Sequence, residues 1–283
     1  MTSPCEPSSR QSKQRFGGAW TLIKLDLVGQ YLAAYTKALH RKFDLHYIDA
    51  FAGTGECVIR LGGERVEVPG SARLALDIRP AFDHVSLIEK SQSNVARLDE
   101  LCAEYGEHVN VYTGDANTNV CRILQEYSWR RARGVLFLDP FGNEVEWATL
   151  EAIAATQAID VWYLFPLAGL FRNAPRKASA LDPSKEATLT RILGTEEWRN
   201  RLYQPPRIQD MFGGESDERH ADVEQMESYA RERLQSIFPY VARPRRLMFD
   251  RGAPGFSLFF MCGNPSGAAQ ALAGRNAGHI LKS

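Results

Sequence analysis

The sequence has no excess of either charge. Its 34 Lys and Arg residues are matched by 34 Asp and Glu, so no global positive field draws in nucleic acid or an anionic membrane, and contact with either must come from local patches. It has no CxxC pair: Cys5, Cys57, Cys102, Cys121 and Cys262 are odd in number and far apart, with no neighbouring histidine to complete a metal set. The six histidines are likewise dispersed without metal spacing and read as structural or exposed, so no metal site is expected. Scattered, unpaired cysteines suit a reduced, cytoplasmic protein. No run approaches the roughly 20 apolar residues of a membrane span. Residues 1–15 lack the apolar core of a signal peptide, and residues 1–20 are expected to form a disordered tail.

What is present is ordinary globular composition, 44% hydrophobic and 24% charged over 283 residues, enough for one large core. Apolar positions Leu22, Leu25, Val28, Leu32, Tyr35 and Leu39 recur at helical spacing and predict a leading helix over 21–39. Lys24 on that helix could help hold a ligand but reads first as a solvated side chain. Short β-prone runs follow at 45–51, 84–88, 109–112, 134–138 and 159–165, separated by helical segments from Ser71 (a candidate N-cap) to 78, and at 91–105, 118–127 and 147–155. Strands alternating with helices at this spacing predict a parallel sheet covered on both faces. Three features interrupt the rhythm: a hairpin over 57–68 around Gly62-Gly63, a helical insertion at about 170–240, and a terminal antiparallel hairpin over 245–249 and 256–262. The insertion is expected to hold three helices and to face a substrate or partner. The expected organisation is one α/β domain over 21–283, with a doubly wound, mostly parallel sheet.

In such sheets ligands sit at the carboxyl ends of the strands, where the strand order reverses. Four successive strands here end in Asp49, Glu89, Asp115 and Asp139. Carboxylates are depleted in strands, and any one of them alone reads as a turn residue or cap. Four in register point to a ligand site. The first turn, Asp49-Ala50-Phe51-Ala52-Gly53-Thr54-Gly55, allows close backbone approach, but position 58 is Val58 rather than the third glycine of a dinucleotide fingerprint, which disfavours NAD. A carboxylate just before the turn repels pyrophosphate and suits a ligand with ammonium and sulfonium charges. S-adenosyl-L-methionine has both: Glu89 can accept from its ribose hydroxyls, Asp115 from its adenine amine, and Ala116 can offer a backbone N–H.

Asp49-Ala50-Phe51-Ala52-Gly53, Glu89, Gly114-Asp115-Ala116 and Asp139-Pro140-Phe141-Gly142 resemble the motifs of class I methyltransferases. With Pro69-Gly70-Ser71, Ile88-Glu89-Lys90, Asn117 and Leu164-Phe165-Pro166 added, the sequence resembles the three-Cys-motif partner (TcmP) family over about residues 21–171. The resemblance implies a Rossmann-like fold. It implies a cofactor site at Asp49, Phe51, Gly53, Gly55, Glu89, Asp115 and Ala116, with S-adenosyl-L-methionine as cofactor. It also implies a separate partner protein bearing three cysteines.

Exocyclic-amine methyltransferases carry Asp/Asn-Pro-Pro-Tyr/Phe at the fourth strand end, where a carboxylate and a carbonyl orient an amine and an aromatic ring stacks on the base. Asp139-Pro140-Phe141-Gly142 is a variant of it and resembles the motif of tRNA guanine-N2 methyltransferases. The expected activity is methyl transfer to an amine nitrogen of a nucleic acid or nucleotide, tRNA or DNA, with Asp139, Pro140 and Phe141 catalytic. The alternative is a non-catalytic or cofactor-binding subunit that docks a three-cysteine protein. Arginines at 130, 131 and 133, at 172 and 176, and at 243, 245, 246 and 251 read as a solvated face rather than a phosphate track.

Overall fold

The computed structural model describes residues 19–61, 64–204, 217–248 and 254–281. Of the tail expected over 1–20, residues 1–18 lie outside them, as do the hairpin turns at 62–63 and 249–253, whereas residues 19 and 20 open the first helix instead. In chain order the elements are α1 (Ala19–Leu39), β1 (Asp44–Asp49), β2 (Glu56–Leu61), β3 (Glu64–Pro69), α2 (Ser71–Asp77), β4 (His84–Glu89), α3 (Gln92–Cys102), β5 (Val109–Thr113), α4 (Ala116–Glu126) and β6 (Ala132–Leu138). Then come α5 (Trp147–Ala155), β7 (Ile159–Phe165), α6 (Leu167–Asn173), a 3₁₀ turn (Ala178–Ala180), α7 (Pro183–Leu193), α8 (Trp198–Leu202), β8 (Tyr203–Gln204) and β9 (Glu218–Arg219). The chain closes with α9 (Val223–Gln235), β10 (Tyr240–Val241), β11 (Arg245–Met248), β12 (Pro254–Cys262) and α10 (Gly267–Ile280).

The main sheet has the order β10-β12-β7-β6-β1-β4-β5, with β11 also pairing β12. Pairs among β1, β4, β5, β6 and β7 are parallel, and β12 runs antiparallel to β7, β10 and β11. This is the expected doubly wound, mostly parallel sheet with an antiparallel terminal hairpin, and the chain has the Rossmann-like fold. The order reverses between β1 and β6, so the loops after these two strands flank the switch point.

Strand residues alternate between two cores. Leu45, Tyr47, Val135, Phe137, Trp162 and Leu164 join α1, α2, α3 and α10 on one face. Ile48, Leu136, Leu138, Val161 and Tyr163 join α4, α5 and the insertion on the other. Both faces being covered accounts for the near-continuous apolar strands. The insertion contains four α-helices among its described residues rather than three, and Leu170, Leu189, Trp198 and Met226 bury its inner side in the second core.

Three local expectations are corrected. Gly70, extended at φ −81°, is the N-cap of α2, and Ser71 is its first helical residue. Helix α10 was not foreseen: Ser266 caps it by accepting from Ala269 N, but its Gly- and Ala-rich sequence carries little apolar period. Lys24 is 3% exposed rather than solvated, because the buried stripe of α1 runs through Lys24, Val28, Tyr31 and Tyr35, at i, i+4, i+7 and i+11.

Candidate functional site

Period-2 alternation brings Asp49 and Asp139 onto the α1 side of the sheet, continuing the Leu45, Tyr47 and Val135, Phe137 rows. Asp49 pairs in register with Phe137, two residues short of Asp139, so the two carboxylates stand at neighbouring strand ends across the switch point. Asp139 forms an ion pair with Lys24 from α1. The ammonium also lies over the rings of Trp20 (5.4 Å) and Phe137 (5.7 Å), which suits a cation removed from water.

Asp49 is fully buried. It accepts from Tyr47 Oη at 3.2 Å and Phe51 N at 3.2 Å, and the Ser71 side chain also favours its charged form. Burial pushes its carboxyl up to about 6 despite those donors, and nearby Asp139 adds to the rise. Asp49 therefore grips the start of the turn rather than facing solvent. The turn is tied down further by Ala52 N donating to Ile88 O (2.9 Å) and Gly70 N to Gly55 O (2.8 Å).

Gly53 (φ +63°) and Gly55 (φ +83°) both need the left-handed region. They differ in surroundings. A Cβ on Gly55 would meet Leu101 Cδ2 at 2.3 Å, whereas nothing lies within 4 Å of one on Gly53. Gly55 is closed by packing, and Gly53 faces open space, as a backbone that receives a ligand must. Phe51 beside it is half-buried.

Glu89 is 6% exposed and accepts Ser91 N at 2.6 Å. Asp115 is exposed and caps α4, one oxygen accepting Thr118 N at 3.0 Å and Thr118 Oγ1 at 3.2 Å. Ala116 is the first residue of that helix. Gly114 N, which donates to Glu89 O at 2.9 Å, joins the two turns. Pro140 is buried and Phe141 is 71% exposed. The hairpin β2–β3 sets Cys57 beside the group: burial raises its thiol, while Lys24 opposes that and Asp139 and Asp49 add to it.

Sequence reasoning missed three residues that organise the site. Lys24 was weighed as a ligand-holding residue but read as solvated, and its pairing with Asp139 was not foreseen. Ser71 was read as a cap. Asn117 locks α4 to the loop after β6: its side chain donates to Glu144 O (2.9 Å) and accepts from Glu146 N (3.0 Å) and Thr149 Oγ1 (2.9 Å). Several arginines are engaged internally, Arg133 over Phe43 at 4.3 Å and Arg246 with Glu227 at 2.7 Å. A cavity of about 300 Å³ lies at the opposite rim, between α1 and α10, and is lined by Tyr31, Tyr35, Arg133 and Asp160 among others. It does not coincide with the strand-end acids, and its placement does not bear on their chemistry.

No family model matches the sequence, and no curated relative does. Among solved structures the chain is similar to protein LPL1258 from Legionella pneumophila, of family-model DUF519, at TM-score 0.51 and 13% identity over 91% of each chain. S-adenosylmethionine-dependent methyltransferases from Mesorhizobium loti and Clostridium acetobutylicum are also similar. The first has TM-score 0.38 and 14% identity, covering 84% of this chain and 99% of that one. The second has TM-score 0.37 and 10% identity, covering 86% and 92%. Among the described residues no helix is long and apolar enough to cross a membrane.

Proposed function

We propose that the protein is an S-adenosyl-L-methionine-dependent methyltransferase acting on an amine nitrogen of a nucleic acid or nucleotide. The observation that carries this reading is the convergence, at one switch point, of the open Gly53 turn with an Asp139 carboxylate held by Lys24 and a bare Phe141 ring beside it. The residues fit the cofactor. The Gly53 turn leaves room where a side chain would stand, Glu89 and Asp115 each offer a second carboxylate oxygen to hydroxyl or amine donors, and no basic cradle for phosphate is present among these residues. When bound, the cofactor would supply an electrophilic methyl group on a sulfonium.

The protein's own part is to bind, orient and keep charge in place. The Lys24 ammonium holds one oxygen of the Asp139 carboxylate, so its other oxygen can accept an amine N–H and turn the nitrogen lone pair outward. Phe141 offers a face on which a heteroaromatic ring stacks. Asp49 acts on the turn, not on the ligand: it is a positioning residue that accepts Phe51 N.

A second reading, that the chain is a cofactor-binding subunit docking a three-cysteine protein as the TcmP resemblance implies, is favoured by one observation. The carboxylate expected to hold the amine is already engaged by Lys24.

Thermal unfolding with S-adenosylhomocysteine and with NAD tests the cofactor. At 100 times the dissociation constant a ligand adds about 2.7 kcal/mol, several degrees for a chain of this size, and the S-adenosyl ligand alone is expected to give it. Asp139→Ala should then retain that shift and lose methyl transfer to tRNA or DNA by about 100-fold or more. Undiminished transfer would remove Asp139 from the chemistry. A shift with no transfer to any acceptor would favour the subunit reading.

A further inference from the structure

The amino ends of the same strands hold a second constellation, which owes nothing to the methyl-transfer reading. His46 on β1 and His84 on β4 are register partners on neighbouring parallel strands. Their imidazole rings therefore lie side by side, with centroids 4.5 Å apart and planes 22° from parallel. Asp44 precedes His46 by two residues and so shares its face of β1. One carboxylate oxygen of Asp44 lies 3.4 Å from His46 Nε2, and the other lies 3.4 Å from His84 Nε2. One ligand atom from each of the three side chains falls within 4.8 Å of the other two.

The His46–Asp44 contact is a long hydrogen bond, and both spacings exceed the about 2.7–2.9 Å to which a strong charge-assisted one closes. Each spacing, taken from a different Asp44 oxygen, is close to the edge of a tetrahedron around zinc, where bonds of about 2.0–2.2 Å put ligand atoms roughly 3.4 Å apart, and a small rotation of Asp44 would bring one oxygen towards both rings. The rings are held in place before any ion arrives. Tyr127 meets His46 edge-on at 4.4 Å and His84 at 5.2 Å, and Trp129 lies 5.1 Å from His46. His46 is buried while the side chains of His84 and Asp44 are 35% and 47% exposed. One side of the cluster is thus closed by aromatic packing and the other opens to water.

We infer that Asp44, His46 and His84 form a binding site for a divalent zinc ion, with water completing the shell on the open side. Two imidazoles and one carboxylate are a donor set that borderline ions accept, and magnesium and calcium, which want oxygen, do not. The ion would clamp β1 to β4 at the amino rim.

The test uses the untagged full-length protein, stripped with chelator and titrated with cobalt(II), whose visible ligand-field bands report tetrahedral coordination. One equivalent is expected to develop these bands without thiolate charge-transfer absorption, to be displaced by one equivalent of zinc, and to be unaffected by magnesium. His84→Ala and Asp44→Asn change partly exposed side chains. Both are expected to keep the metal-free melting temperature, the first losing the bands and the second weakening zinc binding by about tenfold or more. No cobalt bands, bands with thiolate character, or equal binding by His84→Ala would each overturn the site.

Discussion

The two rims of the sheet use their acids in opposite ways. At the carboxyl rim three of the four strand-end acids do the same local work: Asp49 accepts Phe51 N, Glu89 accepts Ser91 N and Asp115 accepts Thr118 N. Each carboxylate closes the turn or helix start that follows it. At the amino rim the acids also reach across the fold, Asp44 on β1 towards His84 on β4 and Asp160 to Tyr31 Oη at 2.7 Å, 129 residues away. The recurrence of acids along the carboxyl rim is therefore explained in part by turn closure alone. Asp139 breaks the pattern: among the described residues no backbone N–H reaches it, and its partner is Lys24, 115 residues distant. That exception, more than the repeat, is what the proposed role of Asp139 rests on.

The largest expected effect sharpens that contrast. Lys24 is almost wholly buried, whereas Asp139 is 26% exposed, so breaking the pair should be asymmetric. Asp139→Asn strands a buried ammonium and should cost about 3 kcal/mol in urea unfolding. Lys24→Met leaves a carboxylate that can turn to water and should cost less than half of that, and the double variant should recover most of the Asp139→Asn loss. Equal costs for the two single changes would mean that Lys24 reaches solvent and that the pair is a surface contact.

A similar size is expected from Asp160, the amino-rim counterpart of Asp49. Burial raises both carboxyls from 3.8 to about 6. The folded form of each holds its proton more tightly than the unfolded chain does. Its contribution is thus fully present below about pH 4 and lost as pH rises through about 6. Asp160→Asn keeps an acceptor for Tyr31 and cannot ionise. Its stability relative to the wild type should rise by up to about 3 kcal/mol between pH 4 and pH 7, at 1.36 kcal/mol per unit. A difference flat with pH would show that Asp160 titrates as an ordinary carboxyl.

The turn glycines separate fold from site by a smaller margin. Gly70→Ala places a Cβ 2.8 Å from the Gly55 carbonyl oxygen and should cost about 1–3 kcal/mol. Gly53→Ala meets nothing within 4 Å and carries only the left-handed backbone penalty, about 1 kcal/mol, yet it fills the space a ligand needs. It should abolish the thermal shift with S-adenosylhomocysteine while leaving most of the stability.

Much of this was legible in the sequence, for a physical reason. Apolar strands of five to seven residues with an acid and a glycine at their ends announce parallel strands, and α5 and β7 begin and end where their apolar runs do. What stayed hidden depends on register between segments remote in sequence. The step from His46 to His84 is 38 residues, and only the pairing of β1 with β4 makes them neighbours. Lys24 read as solvated because a lysine is buried only where a partner waits, and that partner lies on β6's far loop. Asn117 follows Gly114-Asp115-Ala116 directly, but its bonds to residues 144, 146 and 149 are tertiary.

The smallest stability effect should come from Phe141, and its smallness is the point. A large apolar ring 71% exposed contributes little burial energy, so Phe141→Ala should shift unfolding by no more than about 0.5 kcal/mol. Nor should it alter the S-adenosylhomocysteine shift, because the cofactor contacts argued above lie on other strands. Its cost should fall on the acceptor, as a raised KM with S-adenosylmethionine KM unchanged, since losing a stacking surface removes about 1–3 kcal/mol per base. Asp139→Asn should instead depress kcat. A Phe141→Ala variant that unfolds easily would place the ring in the core, and one that transfers methyl groups with unchanged acceptor KM would remove Phe141 from acceptor binding.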